Sequence, residues 1–344
     1  MTGKNPTPLN ELGEFGLIER LTKGIVLKNK NVIKGVGDDA AVIDCGEKCM
    51  VVTSDILTEG IHFNLIYTPL KHLGYKAVVV NLSDICAMNA EPRQIIVSLA
   101  VSNKFSVEAL EELYAGIYLA CEKYNVDLIG GDTTSSLTGL TISITALGDA
   151  KKEDIVYRSG ADMNDLICVS GDLGGAYMGL QLLEREKELF TKHADIQPEF
   201  GGNEYILERQ LKPEARADVI ELLRKNNIRP TAMIDISDGL SSEVIHICKN
   251  SGHGCRIYQD KIPIDDATAQ MANEFNIEPL ICALHGGEDY ELLFTIHLAD
   301  YEKLTGLEGL HVIGNMTGEN ESAFLVTEKG NEIELSSQGW NSLI

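Results

Sequence analysis

The stretch Gly35-Val36-Gly37-Asp38-Asp39-Ala40-Ala41, followed by Thr53-Ser54-Asp55, decides the fold that this sequence predicts. Two adjacent carboxylates lie on a glycine-rich turn, where small residues let the backbone approach a ligand closely. Asp55 follows the apolar run Met50-Val51-Val52. Three acids in one neighbourhood repel one another unless a hard cation lies between them. Oxygen ligands without His or Cys favour magnesium over zinc.

The same pattern, an aspartate after an apolar run, recurs further along the chain. It occurs in 77–84 (AVVVNLSD), 127–132 (DLIGGD) and 232–238 (AMIDISD). We interpret each run as a buried strand and expect the aspartates where these strands emerge. The likeness of Asn81-Leu82-Ser83-Asp84 to Asp235-Ile236-Ser237-Asp238 also suggests two related halves.

The composition is that of a soluble globular protein with an unusually acidic balance. A chain of 344 residues is long enough for two domains, each with its own core. Its hydrophobic content of 44% and charged content of 24% are ordinary. The formal net charge of -23 argues against a nucleic acid or an anionic membrane as partner, because either would be repelled.

Cysteine usage and the amino terminus both indicate a reducing compartment. The eight cysteines are scattered, and Cys45 and Cys49 lack the paired spacing of a zinc site. We therefore expect buried, reduced thiols. Residues 1–10 lack the plan of a signal peptide, and no apolar run is long enough to span a bilayer, so we expect a cytoplasmic location.

Apolar spacing and turn residues predict a chain that mixes helices and strands. Helices are predicted over residues 11–27, 107–124 (with Ser106 as N-cap), 176–187, 213–225 and 241–250, and residues 70–88 combine helical with apolar character. Strands are predicted over 41–44, 50–53, 94–101, 127–129, 140–147 and 165–169, with a strand-turn-strand segment around 285–294. The charged residues 151–154 predict a boundary between domains 1–150 and 151–344. Residues 188–203 are predicted to be an insertion or exposed loop.

The sequence argues against the two common nucleotide-binding motifs, the dinucleotide fingerprint and the P-loop. Gly35-x-Gly37-x-x-Ala40 fits the dinucleotide fingerprint in letters, but a strand rather than a helix is expected after it. Asp38 and Asp39 would also repel a pyrophosphate. No Walker-type motif is present, which argues against a P-loop kinase.

Several other segments leave two interpretations open. The turn 171–175 could bind phosphate at a helix N-terminus or could be only a tight turn. Arg158 could pair with phosphate oxygens or form a surface ion pair. His62 could be catalytic or structural. Trp340, the only tryptophan, could anchor the carboxyl terminus or stack on an aromatic ligand.

Seven segments, taken together and in this order, resemble the thiamine-monophosphate kinase family. They are 37–41 (GDDAA), 53–63 (TSDILTEGIHF), 81–84 (NLSD), 130–133 (GGDT), 158–160 (RSG), 235–240 (DISDGL) and 286–292 (GGEDYEL). The similarity runs from about Glu14 to Trp340. The family belongs to the superfamily of aminoimidazole ribonucleotide synthetase and selenophosphate synthetase, whose members bind ATP without a P-loop.

The resemblance implies a two-domain, mixed α/β fold of the aminoimidazole ribonucleotide synthetase type. Domain 1–150 would bind ATP and metal, and its sheet would pair with that of a second subunit to form a barrel across a homodimer. Domain 151–344 would cover the nucleotide cleft. The implied reaction is the ATP- and Mg²⁺-dependent phosphorylation of thiamine monophosphate to thiamine diphosphate, with several Mg²⁺ ions.

The resemblance also implies roles for individual residues. The implied metal ligands are Asp39, Thr53, Ser54, Asp55, Asp84, Asp132, Asp235 and Asp238, of which Asp55 and Asp235 would be most critical. The implied ATP contacts are Tyr114, Gly131, Asp132, Arg158 and Ser237. The implied contacts to thiamine monophosphate are His62, Glu288 and Trp340.

Physical chemistry agrees with this reaction. Transfer of a phosphoryl group to another phosphate brings two polyanions together, so cations and in-line positioning are the main requirement. The acceptor phosphate is already ionised and needs no side-chain nucleophile, and no convincing Ser/His/Asp or Cys/His set is present. Two alternatives stay open: a synthetase that phosphorylates another acceptor, and a binding module without catalysis.

Overall fold

The chain forms two open β-sheets flanked by helices in a computed structural model that describes residues 13–192 and 200–336. Of residues 13–15 it describes the backbone alone. Residues 32–150 contain a six-stranded sheet, and residues 166–334 contain a seven-stranded sheet. The expected mixed α/β class is therefore confirmed, with one sheet in each half of the chain.

Residues 13–150 contain three helices, and their sheet has the strand order β1-β2-β3-β6-β4-β5. The strands are β1 Val32–Lys34, β2 Ala41–Asp44, β3 Cys49–Thr58, β4 Glu91–Ser102, β5 Asp127–Ser136 and β6 Thr141–Ala150. The helices are α1 Gly13–Thr22, α2 Leu70–Ala87 and α3 Val107–Tyr124. All pairings in this sheet are antiparallel except that of β4 with the edge strand β5.

The carboxy-terminal half has the strand order β13-β12-β9-β11-β7-β10-β8. Its strands are β7 Leu166–Ser170, β8 Ala232–Asp235, β9 His253–Tyr258, β10 Leu292–Ile296, β11 Leu310–Glu319, β12 Ala323–Val326 and β13 Glu332–Glu334. Its helices are α4 Gly175–Lys192, α5 Glu204–Leu211, α6 Ala217–Lys225, α7 Leu240–Ser251, α8 Asp266–Glu274, α9 Pro279–His285 and α10 Tyr301–Leu304, with short 3₁₀ turns at Gln259–Lys261 and Leu298–Asp300.

Helix α2 lies in the interior and corrects one prediction. The run 77–82 was expected to be a strand ending at Asp84, but it is the middle of this helix. Residues 73–83 are all buried, so the helix is apolar on nearly every side. A helix of that kind lacks the 3.6-residue alternation that distinguishes helix from strand in a sequence.

Helices α2 and α3 pack against each other at two glycines. A Cβ atom on Gly74 would lie 2.0 Å from the Leu113 carbonyl oxygen, and one on Gly116 would lie 1.8 Å from that of Lys71. Only glycine permits so close an approach of two backbones. Helix α3 spans the predicted residues, and the Ser106 hydroxyl caps it by accepting a 3.2 Å hydrogen bond from the Ala109 N–H.

Three further predictions are corrected. The strand predicted over 127–129 continues to Ser136, so 130–132 lies within β5 and is not a turn. The predicted strand-turn-strand segment around 285 begins with a helix, α9, and only its second half is a strand. The predicted loop 188–203 is helical as far as Lys192, and its residues 193–199 lie outside the described chain.

The suggested relation between the two halves has no local structural basis. Ser83 and Asp84 lie in the last turn of α2, whereas residues 235–238 lead from β8 into α7. The amino-terminal sheet is open within one chain, so the barrel across a dimer stays a prediction. The division at residue 150 also stays a prediction, although it coincides with the end of β6.

All eight cysteines are free thiols, and six of them are buried. Among the described helices, none has the length and apolar character needed to cross a membrane.

Candidate functional site

Three aspartates that are far apart in the sequence converge at one point. Asp39 lies in the turn before β2, Asp84 in the last turn of α2, and Asp235 at the end of β8. One carboxylate oxygen of each lies within 4.8 Å of those of the other two. We call these three residues the aspartate cluster. It joins the two halves of the chain, and Asp39 and Asp235 are buried.

Neighbouring polar groups hold the cluster in place. The Ser83 hydroxyl donates to Oδ2 of Asp235 at 2.6 Å, and the Thr53 hydroxyl donates to Oδ2 of Asp84, also at 2.6 Å. Asn81 fixes the adjacent strand, because its Oδ1 accepts a 2.9 Å hydrogen bond from the Asp55 N–H. Helix α2 thus supplies one cluster carboxylate and orients its neighbours.

Arg158 forms a largely buried ion pair with the cluster, not a surface pair. Its Nε donates to Oδ1 of Asp39 at 3.0 Å, and a second guanidinium nitrogen binds the same oxygen. Oδ2 of Asp39 is buried without a hydrogen-bond partner. The neighbouring Asp38 accepts a 3.0 Å hydrogen bond from the Arg158 N–H and pairs with Lys34 at 3.0 Å.

Burial raises the pKa values of all three carboxyl groups of the cluster. Burial raises the pKa of Asp39 to about 7, an effect that Arg158 opposes and Asp235 reinforces. Burial and the nearby charges of Asp55 and Asp235 raise the pKa of Asp84 well above its usual range. Burial raises the pKa of Asp235 to about 6, although the Ser83 hydrogen bond lowers it. A divalent cation would reverse these shifts.

The residues of the cluster fit a hard divalent cation. All three ligands are carboxylate oxygens, and the buried Oδ2 of Asp39 has a lone pair to offer. Oxygen-only ligand sets of this kind suit Mg²⁺.

A cavity of about 610 Å³ opens beside the cluster. Asp55, Asp84, Asp235, Ser237 and Asp238 form its acidic wall. Apolar and aromatic side chains line another part of it, among them Phe63, Tyr67, Tyr177 and Leu180. His62 and Glu288 also line it. The cavity therefore combines a cation-binding end with a region that suits a flat organic group.

His62 and Glu288 are both held in defined orientations. Nδ1 of His62 accepts a 3.1 Å hydrogen bond from the Thr58 N–H, so the proton of the neutral ring is on Nε2. Glu288 has a positive φ of 59°, and its N–H donates to the Ser237 carbonyl at 2.7 Å. Both residues therefore have a defined orientation on the cavity wall.

The structure does not bring every candidate residue to the cluster. The Ser54 hydroxyl bonds to the Ile144 carbonyl at 3.2 Å and to the Thr145 hydroxyl at 3.0 Å, on the opposite face of β3 from Asp55. Tyr114 packs on the amino-terminal core with its ring 5.8 Å from that of Tyr118. Trp340 lies outside the described residues.

Gly131 and Asp132 lie on the edge strand. The register places Gly131 in one row with Val97, Ile144 and Asp55 across four neighbouring strands. Strands lie about 4.8 Å apart, so Gly131 is about 14 Å from Asp55 along the sheet. Asp132 is exposed and its side chain points to the opposite face from that of Asp55.

The motif 286–292 has a structural role that the sequence did not reveal. Asp289 accepts hydrogen bonds from the backbone N–H groups of Gly174 at 2.7 Å and Ala176 at 3.3 Å. Its carboxylate therefore occupies the position at the start of α4 where a phosphate would bind. For the turn 171–175 the structure favours the tight-turn interpretation.

Comparisons with known proteins identify chains similar to this one. Residues 37–150 match the family model described as "AIR synthase related protein, N-terminal domain". A thiamine-monophosphate kinase of Aquifex aeolicus is 35% identical over 287 residues, which are 83% of this chain and 87% of the relative. A thiamine-monophosphate kinase of Bacillus subtilis is 31% identical over 336 residues, 96% of this chain and 99% of the relative.

A solved structure shows the same likeness in three dimensions. The structure described as "AaThiL complexed with AMPPCP and TMP" superposes with a TM-score of 0.84 at 32% identity, covering 98% of this chain and 99% of that one.

Proposed function

This chain belongs to the thiamine-monophosphate kinase family. From that premise we propose that it transfers the γ-phosphoryl group of ATP to the phosphate of thiamine monophosphate, with Mg²⁺ bound at the aspartate cluster. The observation that carries this proposal is that two cluster residues, Asp84 and Asp235, lie on the wall of a cavity that His62 and Glu288 also line. One cavity thus offers a cation site and a site for an organic acceptor.

The cluster would hold the cation. Asp39, Asp84 and Asp235 supply the central carboxylates, and Asp55 and Asp238 add charge on the same cavity wall. Thr53 and Ser83 orient the carboxylates through their hydroxyl groups. When bound, Mg²⁺ supplies the positive charge that offsets repulsion between the donor and acceptor phosphates.

The transfer itself needs no side-chain nucleophile. An ionised phosphate oxygen of thiamine monophosphate attacks the γ-phosphorus in line, a new P–O bond forms, and the bond to the bridging oxygen of ADP breaks. The task of the chain is to bind and orient both phosphates. In this proposal Arg158, which lies beside Asp39, and Ser237, on the cavity wall, contact the donor, and the Nε2–H of the neutral His62 ring donates a hydrogen bond to an acceptor oxygen.

We further propose that the active form is a homodimer located in the cytoplasm. Gly131, Asp132 and Ser54 lie away from the cluster of their own chain, on the edge strand or on the opposite sheet face. Pairing of the amino-terminal sheets into a barrel would let these residues, and Tyr114, contact nucleotide or metal at the subunit interface. Trp340 would complete the acceptor contacts made by His62 and Glu288.

A coupled assay for ADP release, with candidate acceptors compared side by side, tests this proposal. We expect turnover only with thiamine monophosphate, and a product that is thiamine diphosphate. Stimulation only by an aminoimidazole precursor or by selenide would instead identify a synthetase of the same fold. ATP binding without turnover on any acceptor would favour a binding module.

A further inference from the structure

Lys76 is a buried lysine to which the reaction described above assigns no role. It is 4% exposed and lies within the buried stretch 73–83 of α2, which is otherwise mostly apolar. Its ammonium group donates to Oε2 of Glu288 at 3.1 Å and to the Gln210 carbonyl at 2.9 Å. A buried ammonium group is costly unless it is paired in this way.

Gln210, on helix α5, also contacts the Glu288 carboxylate. Its Nε2 donates to the same oxygen, Oε2 of Glu288, at 2.8 Å. Two donors, from α2 and from α5, therefore converge on one carboxylate oxygen. The other oxygen, Oε1, keeps its lone pairs for a further donor, and the residue lines the cavity.

The backbone around Glu288 is constrained as well. Gly287, Glu288 and Tyr290 all have positive φ angles, of 71°, 59° and 53°. For residues other than glycine this conformation is uncommon and costs energy. Such a backbone, together with two side-chain donors, indicates that the direction of the carboxylate matters.

We propose that Lys76 is a positioning residue for recognition of the acceptor. With Gln210 it holds Glu288 so that Oε1 faces the cationic heterocyclic part of thiamine monophosphate. This inference rests on the function proposed above. Lys76 does not line the cavity, so it acts through Glu288 and not by contact with the acceptor.

Helix α2 also sets the distance between Lys76 and the cation site. Lys76 precedes Ser83 by seven residues, about two turns or 10 Å along the axis. One buried helix thereby positions Glu288, through Lys76, at one point and the cluster carboxylates, through Ser83 and Asp84, at another. Acceptors with a different separation between heterocycle and phosphate would fit poorly.

Lys76→Met tests the proposal, because methionine has similar length without charge. We expect the KM for thiamine monophosphate to rise about tenfold or more, the loss that one hydrogen bond to a charged group represents. The KM for ATP should stay within about twofold, as expected for a distant, independent site. Lys71→Met is the matched control, since Lys71 is exposed on the same helix.

A double-mutant cycle separates positioning from a general structural effect. In a Glu288→Gln background, Lys76→Met should raise the KM for thiamine monophosphate by no more than about twofold, because its target carboxylate is already gone. An unchanged KM in Lys76→Met, or an equal rise in both backgrounds, would overturn the proposal. If Lys76→Met does not fold, Gln210→Leu removes the second donor; because Gln210 itself lines the cavity, its effect supports positioning only if it disappears in the Glu288→Gln background, and an equal rise in both backgrounds overturns the proposal. A wild-type protein without thiamine diphosphate formation would overturn the proposed function instead.

Discussion

The Ser83 hydroxyl donates a 2.6 Å hydrogen bond to Oδ2 of Asp235, although the two residues are 152 positions apart. This contact joins the last turn of α2 to the end of β8, and so joins the two halves of the chain at the aspartate cluster. The hydroxyl also lowers the pKa of the buried Asp235 carboxyl. Ser83 therefore keeps a cation ligand both oriented and charged.

Ser83→Ala should weaken cation binding without removing a ligand. Loss of one hydrogen bond to a charged group is worth about 1.5 kcal/mol or more, so we expect the Mg²⁺ concentration for half-maximal rate to rise about tenfold. The measurement is the initial rate against Mg²⁺ at fixed ATP and thiamine monophosphate. Ser322→Ala, at an exposed and distant position, is the control. An unaltered Mg²⁺ dependence in Ser83→Ala would contradict this role.

The free energy of unfolding in EDTA should depend on pH through Asp39. Its pKa is about 7 in the folded protein and 3.8 is its usual value, so between about pH 3.8 and about pH 7 the folded state binds a proton that the unfolded state has lost. That contribution stabilises the protein at low pH and disappears as pH rises through about 7.

Thermal unfolding at several pH values in EDTA measures this effect. Asp39→Asn removes the titrating group, so the unfolding midpoint of the wild type should fall more steeply than that of the variant as pH rises from about 5 to about 7, and the two slopes should converge above that range. Saturating Mg²⁺ should remove the difference in slope, since it binds the deprotonated carboxylate. Equal slopes for the two proteins in EDTA would show that Asp39 is not held at a raised pKa.

Asp289→Ala should destabilise the carboxy-terminal half. The change leaves the N–H groups of Gly174 and Ala176 without their acceptor and removes the 3.5 Å ion pair with Arg209. We expect the free energy of unfolding to fall by about 1–3 kcal/mol in urea titration. Asp260→Ala, on the exposed surface, should change it by less than about 0.5 kcal/mol. Equal stability of the two variants would argue against a capping role for Asp289.

Ile129→Glu tests the proposed dimer. Ile129 is 57% exposed on the edge strand β5, where a second subunit would cover it. A charge there should shift light-scattering mass from two chains towards one, and turnover should fall with dissociation because Gly131 and Asp132 lie on the same strand. Ile333→Glu, 53% exposed on the other sheet, is the matched control. A wild-type monomer with full activity would exclude the proposed assembly.

Local structure was predictable where a side-chain period was visible. Strand β2 and helix α3 occupy the predicted residues, the latter because Ser106 marks its start. The helical structure of residues 77–82 in α2 was not predictable, since a helix buried on all sides has no polar face. Nor was the extent of β5, because Gly130 and Gly131 suggest a turn where the strand continues.

The site was predictable where a local motif marked a residue, but not where its position depends on distant parts of the chain. An aspartate at the end of an apolar run marked Asp235 and Asp84, and the glycine turn marked Asp39. The sequence could not say which face of a strand each neighbour occupies. Alternation along β3 puts Ser54 and Asp55 on opposite faces, but which face meets helix α2, and on which face Asp132 lies, depends on long-range register.

Supporting residues were the hardest to predict. Ser83 was visible as part of a motif, but nothing local indicates that its hydroxyl meets Asp235. Lys76 had one signal, a single lysine within the apolar run 73–82, and its partner Glu288 lies 212 positions away. Such pairs depend on the docking of the two halves and not on local sequence.

The central claim is that the carboxylates of the aspartate cluster together bind a cation that the reaction needs. Its most direct test is the rate at which the Asp84→Asn variant forms thiamine diphosphate. Asparagine can keep the hydrogen bond from Thr53 while removing one of three mutually repelling charges. The variant should therefore be folded, with an unfolding midpoint in EDTA at or above that of the wild type. We expect a rate below about 1% of the wild-type rate at saturating Mg²⁺, the loss typical of a group that stabilises transition-state charge. A folded Asp84→Asn that works at close to the wild-type rate would contradict a cation-binding function for the aspartate cluster.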